Sequence, residues 1–164
     1  MDGNLNFFFE PRSVAVIGAS TNPEKLGYLV VKNLVDGKFP YPQAIYPINK
    51  KGGVILGRRV YPSVINVPDT IDLAILVIPY PLVPNALREC GKKKIPAAII
   101  ISAGFREAGM EGLEREQELM VIAQEYHMRL IGPNCLGVID TFTPINASFA
   151  AGMPPSGPMA FMSQ

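Results

Sequence analysis

Short, almost wholly apolar runs lie at residues 13–18, 44–48, 71–78 and 97–102, with a shorter one at 129–131. A strand with one wet face alternates apolar and polar positions, whereas an unbroken run fits a strand covered on both faces. Between the runs the spacing turns helical. Leu26, Leu29, Val30, Asn33 and Leu34 recur on one face, and Asp36-Gly37 is expected to close that helix. After Pro81, the residues Leu82, Val83, Ala86, Leu87 and Cys90 form a second apolar face, which reads Cys90 as a core residue. A third, longer helix carries Leu119, Ile122, Ala123 and Tyr126, with His127 at its end, where a cation suits the helix dipole. Strand and helix in alternation predict right-handed βαβ units: an α/β fold, Rossmann-like and doubly wound, on a mostly parallel sheet. Residues 52–62, flanked by glycine and ending at Pro62, read as an edge hairpin outside that sheet.

In such a sheet ligands bind beyond the carboxyl ends of the strands, so the strand exits are where chemistry is expected. The first exit, Gly18-Ala19-Ser20-Thr21-Asn22-Pro23-Glu24-Lys25-Leu26-Gly27, is small and polar and opens a helix. Its main-chain N–H groups and the helix dipole suit a phosphate. The dinucleotide fingerprint G-x-G-x-x-G is not met, because the next glycine after Gly18 is Gly27. About 20 to 30 residues on, where an NAD enzyme presents an acid to the ribose, stand Asn49, Lys50 and Lys51 instead. These suit a phosphorylated ribose, as NADP and coenzyme A (CoA) carry, and equally a solvated strand end. The five exits bring Ser20, Lys50, Pro79, Ser102 and Asn134 to one crevice.

The 164 residues, 48% apolar, suffice for one domain with a real core. No run approaches the ~18–20 apolar residues of a membrane span, and Met1-Asp2-Gly3-Asn4 lacks the basic start of a secretory signal. A soluble cytoplasmic protein without a membrane partner is therefore expected. A net charge of +1, with only Lys50-Lys51 and Lys92-Lys93-Lys94 clustered, gives no nucleic-acid footprint. Two cysteines, Cys90 and Cys135, and the single His127 make neither a disulfide framework nor a metal site. The breakers in Gly152-Met153-Pro154-Pro155-Ser156-Gly157-Pro158 mark a boundary. Residues 1–151 are read as the domain, and 152–164 as a linker with the first strand of a following domain.

Several stretches in this order resemble the N-terminal CoA-binding domain of the ADP-forming acyl-CoA synthetases, relatives of the succinyl-CoA synthetase alpha subunit. They are residues 13–20, Tyr46-Pro47-Ile48-Asn49, Ile101-Ser102-Ala103-Gly104-Phe105, Ile131-Gly132-Pro133-Asn134-Cys135-Leu136-Gly137, Asn146-Ala147-Ser148-Phe149 and residues 160–164. The resemblance implies that Gly18, Ala19, Ser20, Lys25 and Gly27 cradle the CoA phosphates and that Asn49 with Lys50 or Lys51 meets its phosphate end. It further implies that Ile78, Pro79 and Val83 flank the cofactor, that Ser102, Ala103 and Gly104 border it, and that Asn134 and Cys135 lie toward its thiol. A core position for Cys135 is the alternative.

The family reaction converts acyl-CoA, ADP and phosphate to acid, CoA and ATP through a phosphohistidine in a further domain. The resemblance therefore implies no catalytic residue in this chain, an inactive fragment, and ADP, ATP and Mg2+ bound elsewhere. CoA or acyl-CoA, the remaining ligase domains or an ATP-grasp subunit, and an oligomeric full enzyme would be its partners. Two alternatives stand beside this: a regulatory CoA-binding domain of a ligase-like protein lysine acetyltransferase, and a stand-alone CoA or nucleotide sensor. An NADP oxidoreductase is disfavoured by the broken fingerprint.

Overall fold

The computed structural model describes residues 5–162. A short helix α1 (Asn6–Phe9) precedes β1 (Val14–Ile17), helix α2 (Leu26–Asp36) and β2 (Ile45–Ile48). A two-stranded hairpin follows, β3 (Val54–Ile55) and β4 (Arg58–Arg59), and then β5 (Leu73–Leu76) and α3 (Val83–Lys92). Next come β6 (Ala97–Ile100), α4 (Met110–Glu125), β7 (Arg129–Ile131) and a second hairpin of β8 (Gly137–Asp140) and β9 (Ile145–Ser148). The main sheet is parallel and runs β2-β1-β5-β6-β7. That is the expected α/β fold, and the edge hairpin over residues 52–62 forms as read.

The unbroken apolar runs have the predicted cause. Val14 and Val16 of β1 enter a core shared with Val30, Val31 and Leu34 of α2, while Ala15 and Ile17 enter another shared with α3 and α4. β1, β2, β5 and β6 are buried throughout, whereas the outer strand β7 begins with exposed Arg129. The outer strand β2 accommodates Pro47, which takes no part in a ladder as donor. The chain moves from β1 outward to β2, then returns across the sheet to β5. The order therefore reverses between β1 and β5, and a doubly wound sheet opens its ligand crevice at such a reversal.

Several expectations are corrected. Leu82 is 54% exposed, because residues 80–82 form a 3-10 turn and the helix proper starts only at Val83. Asp36-Gly37 does close α2 as expected, with Gly37 in right-handed geometry and Lys38 in the left-handed position at φ +60°. His127, at φ +54°, does terminate α4, and it is exposed. The hairpin β8–β9 was not foreseen; β9 packs on α2 and β8 on α1. Residues 159–162 adopt no regular structure and Phe161 is 92% exposed, so the strand expected there does not form among the described residues, and Ser163 and Gln164 lie outside them. Among the described residues no helix is long and apolar enough to cross a membrane, and no His, Cys, Asp and Glu group could hold a metal.

Candidate functional site

A crevice of about 1140 Å³ opens at the β1/β5 reversal. This exceeds the roughly 300–1,000 Å³ of ordinary small-molecule sites, so it suits a large or extended ligand. Thirteen of the predicted residues line it: Gly18, Ala19, Ser20, Lys25, Gly27, Asn49, Lys51, Ile78, Pro79, Ser102, Ala103, Asn134 and Cys135. Four of the five residues named at the strand exits, Ser20, Pro79, Ser102 and Asn134, are among them, since β1, β2, β5, β6 and β7 all end at this edge, and the others are those the resemblance implied.

Three predicted residues stand apart. Lys50 is exposed and outside the lining. Val83 is wholly buried under α3, because it is the first residue of the helix proper and turns toward the core. Gly104 sits behind the wall, with the Tyr80 ring packed where its side chain would be. Conversely, Thr21, Asn22, Leu26, Ile55 and Phe149 line the crevice unannounced. Ile55 and Phe149 come from the hairpin segments outside the main sheet. Val54 is 63% exposed and Ile55 buried, a difference that two adjacent apolar residues do not show in sequence.

One end of the crevice is built from the β1 exit. Gly18 has φ +94°, and its N–H donates to the Ile48 carbonyl at 3.0 Å, which joins the β1 and β2 exits. At Gly27 an added Cβ would lie 2.0 Å from the Gly18 carbonyl oxygen, so glycine there lets α2 start directly against the strand exit. The Ser20 hydroxyl accepts from Asn22 N at 3.1 Å, and Asn22 Oδ1 accepts from Glu24 N at 2.9 Å, holding the loop in shape. No side chain caps α2 and no acid stands in its first turn. The N–H groups of Leu26 and Gly27, which have no intrahelical acceptor, therefore face the crevice with the positive end of the dipole. Lys25 and Lys51 add charge, and neither is in an ion pair among the described residues. Glu24 is the one acid in the lining.

The remaining wall is tied together by side chains. Asn49 donates from Nδ2 to the Ala19 carbonyl at 2.8 Å and accepts Lys51 N on Oδ1 at 2.9 Å, so it braces the β1 exit loop while lining the crevice. Ser102 accepts Ile78 N at 3.2 Å, and its carbonyl accepts Asn134 N at 3.0 Å, which links the exits of β5, β6 and β7. The Cys135 thiol lies 3.4 Å from the Ile100 carbonyl oxygen, half-buried against the core at the far end of the crevice, and burial pushes its pKa up. It combines both positions considered for it, packed on the core and bordering the crevice. The arrangement puts Lys25, Lys51 and an uncapped helix N-terminus at one end of the crevice and the Cys135 thiol at the other.

Comparison with known proteins places this geometry. The chain is 47% identical over 156 residues to the ADP-forming acetate–CoA ligase I of Archaeoglobus fulgidus, covering 95% of this chain and 22% of that protein. It is 46% identical over 165 residues to the alpha subunit of the ADP-forming acetate–CoA ligase I of Pyrococcus furiosus, covering 98% and 35%. Among solved structures, PH0766 from Pyrococcus horikoshii OT3 superposes with TM-score 0.83 at 48% identity, covering 88% of this chain and 33% of that one. A dinucleotide-forming acetyl-coenzyme A synthetase 1 from Ca. Korarchaeum cryptofilum, solved with phosphate and ADP, gives 0.85 at 36%, covering 89% and 31%. The chain thus spans about a fifth to a third of these relatives. The model of the CoA binding domain matches residues 12–141, and the chain belongs to that family.

Proposed function

We propose that this chain is the CoA-binding part of an ADP-forming acyl-CoA synthetase, holding CoA or acyl-CoA while other domains or an ATP-grasp subunit carry out phosphoryl transfer. The observation that carries this is the polarity of the crevice: an uncapped helix N-terminus with Lys25 and Lys51 at one end, and an apolar middle leading to Cys135 at the other. That matches a ligand with phosphates at one end and a thiol at the other. The relatives named as acetate–CoA ligases support the reaction class, and the alpha-subunit relative supports a partner chain. ADP, ATP and Mg2+ belong to those other parts.

Within this chain, Gly27 and Leu26 N–H groups and Lys25 hold the pyrophosphate, Lys51 meets the ribose phosphate, and Ile78, Pro79 and Ala103 exclude water from the arm. Titration calorimetry with CoA and dephospho-CoA tests the assignment. CoA is expected to bind more tightly, since one charge-assisted contact contributes about 1.5–3 kcal/mol before screening. Equal affinities would remove the phosphate role of Lys51, and absence of CoA binding would remove the reading.

A further inference from the structure

Behind the middle of the crevice, two loops that carry its wall are bridged by a side chain that does not itself line it. The β5 exit supplies Ile78 and Pro79 and continues into the turn Tyr80–Leu82. The β6 exit supplies Ser102 and Ala103 and continues through Gly104 at φ +106° into buried Phe105. Arg115 of α4 reaches both. Its guanidinium lies 4.4 Å from the Tyr80 ring centroid, and its Nη1 donates to the Gly104 carbonyl at 3.1 Å. Nη2 is held by the Glu111 carboxylate at 2.8 Å, one helical turn away. The loops also touch directly, since a Cβ on Gly104 would fall 2.5 Å from Tyr80 Cδ1. From the other side, Glu107 accepts Gly104 N at 2.5 Å and Phe105 N at 3.2 Å.

We propose that Arg115 is a positioning residue for ligand binding, fixing the Pro79 and Ala103 loops as one rigid wall against the non-phosphate part of the ligand. A guanidinium can stack on a ring and donate in its own plane at the same time, which a single ammonium cannot do. Strand order decides which part of the ligand is affected. The phosphate groups are gathered at the β1 and β2 exits, whereas the wall stands at β5 and β6, between them and Cys135 at the β7 exit. Loss of the clamp leaves the loops to be ordered on binding, and that cost falls on the arm of the ligand alone. The proposal rests on the CoA reading above.

The test compares CoA with adenosine 3′,5′-bisphosphate, the phosphate end alone, by calorimetry on wild type, Arg115→Gln, Arg115→Lys and Tyr80→Ala, with thermal midpoints measured alongside. Arg115→Gln is expected to bind CoA about tenfold more weakly and the bisphosphate unchanged, with Arg115→Lys between it and wild type. Tyr80→Ala should lose as much, and combining it with Arg115→Gln should add little, because both remove one clamp. A folded Arg115→Gln with unchanged CoA affinity overturns the assignment while leaving the CoA reading intact. An equal loss for both ligands with a lowered midpoint also overturns it, since that is what a merely structural residue would do. A wild type that binds neither ligand overturns the CoA reading and this inference together.

Discussion

At Gly18 an added Cβ would lie 2.2 Å from the Val77 carbonyl oxygen, and φ is +94°. The side chain would drive into the β5 exit, not into the space of a phosphate, so the glycine is required first by packing. Gly18→Ala is accordingly expected to cost on the order of 2–4 kcal/mol, combining left-handed strain with a backbone collision. Denaturant unfolding measures that loss, and a midpoint unchanged from wild type would contradict it. Cys90, wholly buried, has its pKa pushed to about 12 by burial, against about 8.5 in an unfolded chain. The native state keeps the proton where the unfolded state sheds it. The Cys90 contribution to stability is therefore fully present below about pH 8.5 and declines above it, by at most about 1.4 kcal/mol per pH unit for the one thiol. Tyr46, also pushed to about 12 by burial and by its hydrogen bond to Asp69, adds its own loss only above the ordinary tyrosine range near pH 10. Unfolding between about pH 8.5 and 10 should thus show a slope that Cys90→Ala reduces to the Cys135 share.

Among the elements, β1, β2, β5 and β6 were legible because each is buried on both faces, and so was the edge hairpin, through its glycines. The hairpin β8–β9 was not, because β9 is buried on both faces with apolar Ile145 and Ala147 alternating with polar residues. Asn146 and Ser148 are 1% and 0% exposed, and they bond one another at 2.6 Å, a pattern no apolar template detects. The site shows the same division. Residues at strand exits were found from the strands, whereas Phe149 needed knowledge of where β9 returns. Asn33 of α2 secures that return: its Nδ2 donates to the Ser148 and Ala150 carbonyls, each at 2.8 Å, on either side of Phe149. Its helical spacing was visible in the sequence, but not its partners more than a hundred residues away. Asn33→Ala leaves both carbonyls without this donor and should cost about 1–3 kcal/mol. Hydrogen exchange across residues 145–150 should accelerate while that of β1 and β5 does not, and uniform protection would show that β9 is held by its apolar contacts alone.

For the molecule as a whole, one sheet edge gathers all five strand exits, and the crevice along it runs from the N-terminus of α2 to the Cys135 thiol. The one histidine of the chain, His127, is exposed at the end of α4 and is not part of the lining. On the division of labour proposed above, the chain should behave as a binding unit. With CoA at 100 times its dissociation constant, mass action stabilises the native state by about 2.7 kcal/mol, which for a chain of this size raises the thermal midpoint by roughly 5–10 °C. The same preparation, given acetyl-CoA, ADP and phosphate, should form no ATP until the remaining domains or a partner chain are supplied. ATP formed by the chain alone would mean that phosphoryl transfer uses residues within it, and the division of labour proposed above would fail even if CoA binds.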